Sequence, residues 1–263
     1  MWQEIYKKKE IARRSVYRHI QHQTIMGDTS KAVFGRDKLP EIAIIRAGAH
    51  FPDRARRTLE QFDRFEEING TWVPYSYATK DNIEAIITFN VYGAATTLEV
   101  IRILQDGGVK NIGFIGSAFS KKGKIGEQLL ITKVFDQAGV TRMDGVNIIT
   151  RDEEHIKVQQ DFLEERRVAY TKATIASVPC VMHNIDNVRD FVGSEQVDGV
   201  EMELSTFFHF TEKANMYPVA NIYVSDNPAY PVLDDDKNQL RENGMILSSQ
   251  LAIDLLYQIS QGQ

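Results

Sequence analysis

At 263 residues and 43% hydrophobic content, the chain is long enough to bury a sizeable core within one α/β domain. A charged share of 25% is an ordinary globular value and excludes the disordered, collagen-like and coiled-coil classes. With a net charge of -5 and a pI of about 5.7 there is no electrostatic footprint for nucleic acid, so the expected partners are small molecules or other copies of the chain.

The first segment, MWQEIYKKKEIARRSVYRHIQ, spaces Trp2, Ile5, Ile11, Val16 and Ile20 at roughly helical intervals among basic residues. It reads as a basic amphipathic helix, either an arm that touches a neighbouring subunit or acidic ligand or a solvated helix packed on the domain. It has the positive charge of a signal peptide without the continuous apolar run, and no other stretch approaches the length of a membrane span, so neither secretion nor membrane association is expected. The mixed Gly, Asp, Ser and Pro of QTIMGDTSKAVFGRDKLP reads as a loop. The expected organisation is thus an arm and loop over residues 1–40 and one catalytic domain over 41–263.

From residue 41 short apolar runs alternate with amphipathic segments: EIAII, PDRARRTLEQF, EAIITFN, GAATTLEVIRILQ and NIGFIG. The pattern resumes in GVNIIT, the polar helix DEEHIKVQQDFLEERR, the strand AYTKATIAS, then VEMELSTFFHF, VANIYVSD and a long C-terminal helix. Such alternation predicts βα units around a largely parallel sheet, whose ligands gather at the carboxyl ends of the strands. The only cysteine, Cys180, has no thiol to pair with and no nearby His cluster, so neither a disulfide nor a metal site is expected and a reducing, cytoplasmic setting fits.

Candidate chemistry concentrates in VEMELSTFFHFTEKANMYPVANIYVSD. Glu201 and Glu203 stand at alternate positions after an extended run and share a face if the strand persists; Asp226 closes the next strand. A carboxylate at a strand end can accept hydrogen bonds from both hydroxyls of a ribose diol. Taken alone, surface acids and a structural Asp226–Arg241 salt bridge are the simpler readings. Asp234, Asp235 and Asp236 read as a solvated turn rather than a metal cage.

This segment resembles the VEME-to-VSD stretch of the hexameric bacterial purine nucleoside phosphorylases, with the same spacing to the terminal Asp. ITFNVYGAATTLEVIRILQDGGVKNIGFIGSAFS is similar to that family's glycine-rich turn, its following helix and the strand ending in a Gly-Ser pair. RAGAHFPDRARRTLEQF resembles its first phosphate loop with an insertion of about two residues. The likeness covers roughly residues 41 to 258. It implies a single-domain, three-layer phosphorylase-like α/β fold whose central mixed, mostly parallel sheet is flanked by helices. It also implies a homo-oligomer and no cofactor beyond inorganic phosphate as a co-substrate.

Carried over residue by residue, Glu203 holds the ribose hydroxyls, Met202 packs against the sugar, and Asp226 protonates the leaving purine with Arg241 as its partner. Val181 and Met182 fall where the family stacks aromatic rings on the base, which puts base specificity in question. Gly48, Arg54 and Ser117 remain from the anion site, but Phe114 stands where its Arg is expected, and INGTW replaces the segment that carries a neighbouring subunit's Arg. His50 or Asp53, with Arg46 just ahead, is either a water-activating group or a surface loop residue. Phosphorolysis of a purine nucleoside is slightly favoured over hydrolysis. A catalytically silent nucleoside binder or storage protein is the rival class, and a dinucleotide binder is distant, because no G-x-G-x-x-G follows the first strand.

Overall fold

The most apolar run, Ile42–Ala47, forms strand β1 and is buried at all six positions, as a strand covered on both faces must be. The computed structural model describes residues 29–47, 52–68, 72–179, 196–228 and 238–262. The expected basic helix near the N-terminus, the loop residues Gly48 and His50, the base-facing Val181 and Met182, Cys180 and the acidic run 234–236 lie outside them.

Ahead of β1, the expected loop contains a short helix, α1 (Thr29–Phe34). Phe34 is fully buried edge-on to Tyr75 at 5.1 Å, and its carbonyl accepts a 2.7 Å hydrogen bond from the Tyr77 hydroxyl, so the core begins before residue 41. After α2 (Pro52–Leu59) come β2 (Arg64–Ile68), β3 (Tyr75–Lys80) and β4 (Ile83–Val91), paired as antiparallel hairpins. The β3–β4 turn is the two-residue Asp81-Asn82, with φ of 51° and 63°, the left-handed pair that matches strand twist.

The chain continues through α3 (Gly93–Asp106), β5 (Asn111–Ser120), β6 (Gln128–Asp136), a 3-10 turn (Thr141–Asp144), β7 (Ile148–Thr150), α4 (Glu153–Glu165) and β8 (Tyr170–Ser177). It ends with β9 (Gly199–Glu201), α5 (Leu204–Lys213), β10 (Tyr217–Asp226) and α6 (Asn238–Ser260). The extended run does not persist to Glu203: β9 stops at Glu201, and the aromatic-rich segment that follows is helical.

The ten strands form one sheet in the order β10-β6-β8-β9-β5-β1-β4-β3-β2, with β7 on β6. Because β10 also pairs with β5, the first five strands of that order close into a ring, and β1 to β4 extend from it as an open sheet. The sheet is mixed as expected, but the expectation that it is mostly parallel is corrected. Among the described residues, parallel and antiparallel strand pairings number five each, so the sheet is mixed and partly a barrel. Closure leaves β5 without a free edge, which removes the unpaired backbone groups that an open sheet would leave there.

Two cores cover the faces. Ala43 and Ile45 pack with α3 and α5, including Leu98, Ile101, Leu204 and Phe207. Ile42 and Ile44 pack with α2, α4 and α6, including Leu59, Phe162, Leu251 and Leu256. Helix α6 approaches the β5–β6 turn so closely that a Cβ on Gly244 would meet Gly126 Cα at 2.6 Å.

Candidate active site

Strand register gathers the predicted carboxylates. Phe119 near the end of β5 faces Asp226 of β10 on one side and Val200 of β9 on the other. With neighbouring strands about 4.8 Å apart, Asp226 and the Glu201–Glu203 segment sit within roughly 10 Å along the rim formed by the carboxyl ends of β5 and β10.

Glu201 is the last residue of β9 and is buried. One carboxylate oxygen accepts from the backbone N–H of Glu203 (2.6 Å) and Leu204 (2.7 Å), neutralising orphan donors at the α5 N-terminus. The other accepts from the Ser177 hydroxyl, whose oxygen in turn accepts from Ser205 N at 2.8 Å. Ser205 Oγ donates to Asp136, itself held by the N–H and hydroxyl of Thr141. Glu201 is therefore a structural clamp, and the sharing of one face with Glu203 expected from a continuing strand is lost when the backbone turns helical.

Glu203 stands at the N-cap of α5, with φ -129° and ψ -29°, and is also buried. Its Oε1 accepts a 2.6 Å hydrogen bond from Gly93 N, the first residue of α3. Gly93 has φ +74°, and a Cβ there would meet nothing within 4 Å, so glycine is required by the backbone and not by space. Just upstream, Asn90 is skipped by the β1–β4 register and has φ 57°, a bulge that re-aims the chain into α3. Burial raises the proton affinity of both carboxyls, and for Glu203 the neighbouring Glu201 charge adds to it. The Ser177 hydroxyl and backbone N–H groups offset part of that rise at Glu201, as the Gly93 and Met202 backbone does at Glu203.

Asp226 and Arg241 are brought together as expected. Arg241 Nη2 lies 3.2 Å from Asp226 Oδ1, and both side chains are about nine-tenths buried. The guanidinium is fixed by Nε donating to Ser225 O at 2.8 Å and Nη1 to Asn238 Oδ1 at 3.2 Å, so β10 and α6 are tied at the site.

The anion residues are not brought together in the same way. Phe114 is 1% exposed and packs on Phe207 at 5.2 Å between ring centroids, in the core under α5 and not on the rim. This corrects its placement among site residues: strand alternation turns position 114 inward with Ile112 and Ala118. Ser117 is exposed on β5 beside Tyr223 of β10. Arg54 lies in α2, with its side chain outside the described part, as does that of Asp53. Met202 is half-buried and packs against the small cluster of Ala176, Val178, Val197 and Val200. Arg46 is 2% exposed at the end of β1, where Nη1 donates to Ala47 O (2.7 Å) and Ile115 O (3.2 Å) and pins β1 to β5.

Sequence reasoning missed Gly93 N, Ser177, Ser205 and Asp136, and only the glycine-rich turn offered a signal for any of them. Among the described residues no group of three or more His, Cys, Asp or Glu is placed to hold a metal, and no helix is long and apolar enough to cross a membrane.

No protein-family model and no curated protein sequence matches the chain. Solved structures do. A uridine phosphorylase from Vibrio fischeri superposes with a TM-score of 0.73 at 17% identity, covering 84% of this chain and 92% of that one. A 5'-methylthioadenosine/S-adenosyl homocysteine nucleosidase from Campylobacter jejuni gives 0.68 at 18% identity, over 82% and 98% of the two chains. A futalosine hydrolase from Helicobacter pylori gives 0.65 at 18% identity, over 86% and 99%. The architecture that sets Glu203 and the Asp226–Arg241 pair on one rim is a fold shared with these phosphorylase, nucleosidase and hydrolase structures.

Proposed function

We propose that the chain cleaves the N-glycosidic bond of a purine nucleoside, with water as the favoured acceptor of the sugar. The observation that carries the reading is the placement of buried Glu203 and the buried Asp226–Arg241 pair on one rim by strand register. Glu203, once ionised, accepts from the ribose diol, while Asp226, having taken up a proton from solvent, passes it to the leaving base, and the water that adds to the sugar returns a proton to solvent. The bond breaks with its electron pair moving to the base, and the positive charge left on the sugar is met by the neighbouring carboxylates. Arg241 favours the carboxylate that remains on Asp226 after proton transfer. Its three-point fixation holds that stabilisation in place without reorganisation.

Water is favoured because position 114 contributes a core phenyl ring and no guanidinium to the rim. Phosphate remains the second reading, supported by exposed Ser117 and by Arg54 in α2. Two of the three similar structures named above are a nucleosidase and a hydrolase, and one is a phosphorylase. A homo-oligomer belongs to the same proposal.

The test is chromatography of a purine and pyrimidine nucleoside panel incubated with and without phosphate, with identification of the sugar product. Free ribose formed equally in both conditions is expected. Ribose 1-phosphate formed only with phosphate would move the assignment to phosphorolysis, and binding without turnover across the panel would overturn catalysis.

A further inference from the structure

Away from the catalytic rim, near the start of β10, the fold encloses a cavity of about 190 Å³. Pro218 lines it and is eight residues from Asp226, on the order of 26 Å along an extended strand, so this is a separate site. Ile149, Phe208, Met216 and Pro218 make its apolar walls.

Arg151 faces this space while only 6% exposed. Its Nη1 donates to Ile131 O at 2.9 Å and Gln159 Oε1 at 3.0 Å, and its guanidinium lies 4.7 Å from the centre of the Phe208 ring. Among the described residues no carboxylate stands within ion-pair distance, and Nε and Nη2 make no hydrogen bond. The adjacent Asp152 acts on it only at longer range, its carboxylate being engaged by the N–H groups of Glu154 and His155 at the start of α4. Burial lowers the guanidinium's pKa to about 10, which still leaves it cationic at neutral pH. A buried cation without an ion-pair partner is costly, and guanidinium N–H donors left over beside a largely apolar cavity suit a planar anion.

We propose that this cavity binds a small organic carboxylate with a flat apolar body, the carboxylate engaging Nε and Nη2 of Arg151 as a bidentate pair. The volume is below the usual range for drug-sized ligands, which limits the body to about one ring. His155, edge-on to Tyr217 at 4.2 Å and kept neutral by burial, adds a polar wall without a second charge. Glu212 also lines the cavity and is exposed, so a monoanion is better accepted than a phosphate dianion.

The experiment is calorimetric titration of the full chain with benzoate, benzamide and inorganic phosphate. Benzoate is expected to bind at least tenfold more tightly than benzamide, and an equal concentration of phosphate is expected not to displace it. Arg151→Gln should abolish benzoate binding. Because Arg151 also holds Ile131 and Gln159, the exposed Glu212→Gln provides an arm that does not threaten the fold, and it should tighten benzoate severalfold. Glu203→Gln, at the catalytic rim, should leave benzoate affinity unchanged. Absence of benzoate binding at millimolar concentration, parity with benzamide, displacement by phosphate, or indifference to Glu212→Gln would each overturn the proposal. So would loss of benzoate affinity in Glu203→Gln, since it would place the ligand at the catalytic rim.

Discussion

In the proposed reaction Asp226 and Glu203 carry opposite demands on a carboxyl group, one to give up a proton and the other to accept from hydroxyls, and their surroundings differ. Asp226 meets a guanidinium, whereas Glu203 meets backbone N–H groups and the charge of a second carboxylate. Asp226→Asn is expected to cut turnover of the best nucleoside by about two to four orders of magnitude, the usual worth of a positioned acid. A thermal melt should show the variant still folded, and steady-state kinetics near wild type would remove Asp226 from the mechanism. For Glu203 the folded-state proton affinity is raised above the ordinary 4.5, so the native state binds more protons than the unfolded chain at higher pH. Its stabilising contribution is complete below the ordinary carboxylate range and is lost as pH rises through neutrality. Urea midpoints should fall over roughly pH 5 to 8, and Glu203→Gln should flatten that fall; parallel profiles would show that Glu203 is not the group titrating. These acids stood out in the sequence through the resemblance of the VEME-to-VSD stretch, not through spacing alone, and strand register sets them on one rim. The inward turn of Phe114 was not legible, since a strand residue's face is decided by which side the neighbouring helices cover.

The junction of β9 with α5 shows why elements were harder to read than residues. Three residues make a strand too short to leave a periodic signal, and Phe207, Phe208 and Phe210 have a β-forming character at odds with the helix they occupy. What overrides it is the Glu201 carboxylate, placed two and three residues ahead of the first free helix donors, together with packing of those rings under α3. The β2–β3–β4 hairpins were also missed, although Tyr75 and Tyr77 alternating ahead of Asp81-Asn82 were a fair hairpin signal. At the start of α3, Gly93→Ala is expected to cost about 1 to 2 kcal/mol, because only the left-handed backbone objects to a side chain there. The same change should weaken ribonucleoside binding more than 2′,3′-dideoxynucleoside binding, as the N–H that positions Glu203 shifts. Equal loss for both ligands would disconnect Gly93 from recognition of the diol.

Across the whole molecule, α/β alternation and the single domain-sized core were readable from pattern, but closure of the ring was not, because it depends on β10 pairing with both β5 and β6. Helix α6 is fastened to that ring at Gly126 and Gly244, with Gln128 Nε2 donating to Gly244 O and Ser248 Oγ donating to Gln128 Oε1 at 2.7 Å. Gly244→Ala should therefore push α6 outward and cost about 1 to 3 kcal/mol in a denaturant titration. Since Arg241 lies one turn earlier on that helix, kcat should drop with it, and a stable, fully active variant would show the contact to be slack. The pairing of β10 with β5 has a further consequence for synthesis. Tyr217 pairs with Asn111, more than a hundred residues upstream, and Asp226 finds Arg241 only on the helix that follows. Of the described strands β10 comes last in the chain, so the groove beside β5 is filled only after β1 to β9 have been made. The activity proposed above would therefore wait on β10 and α6, which bring Asp226 and Arg241 together.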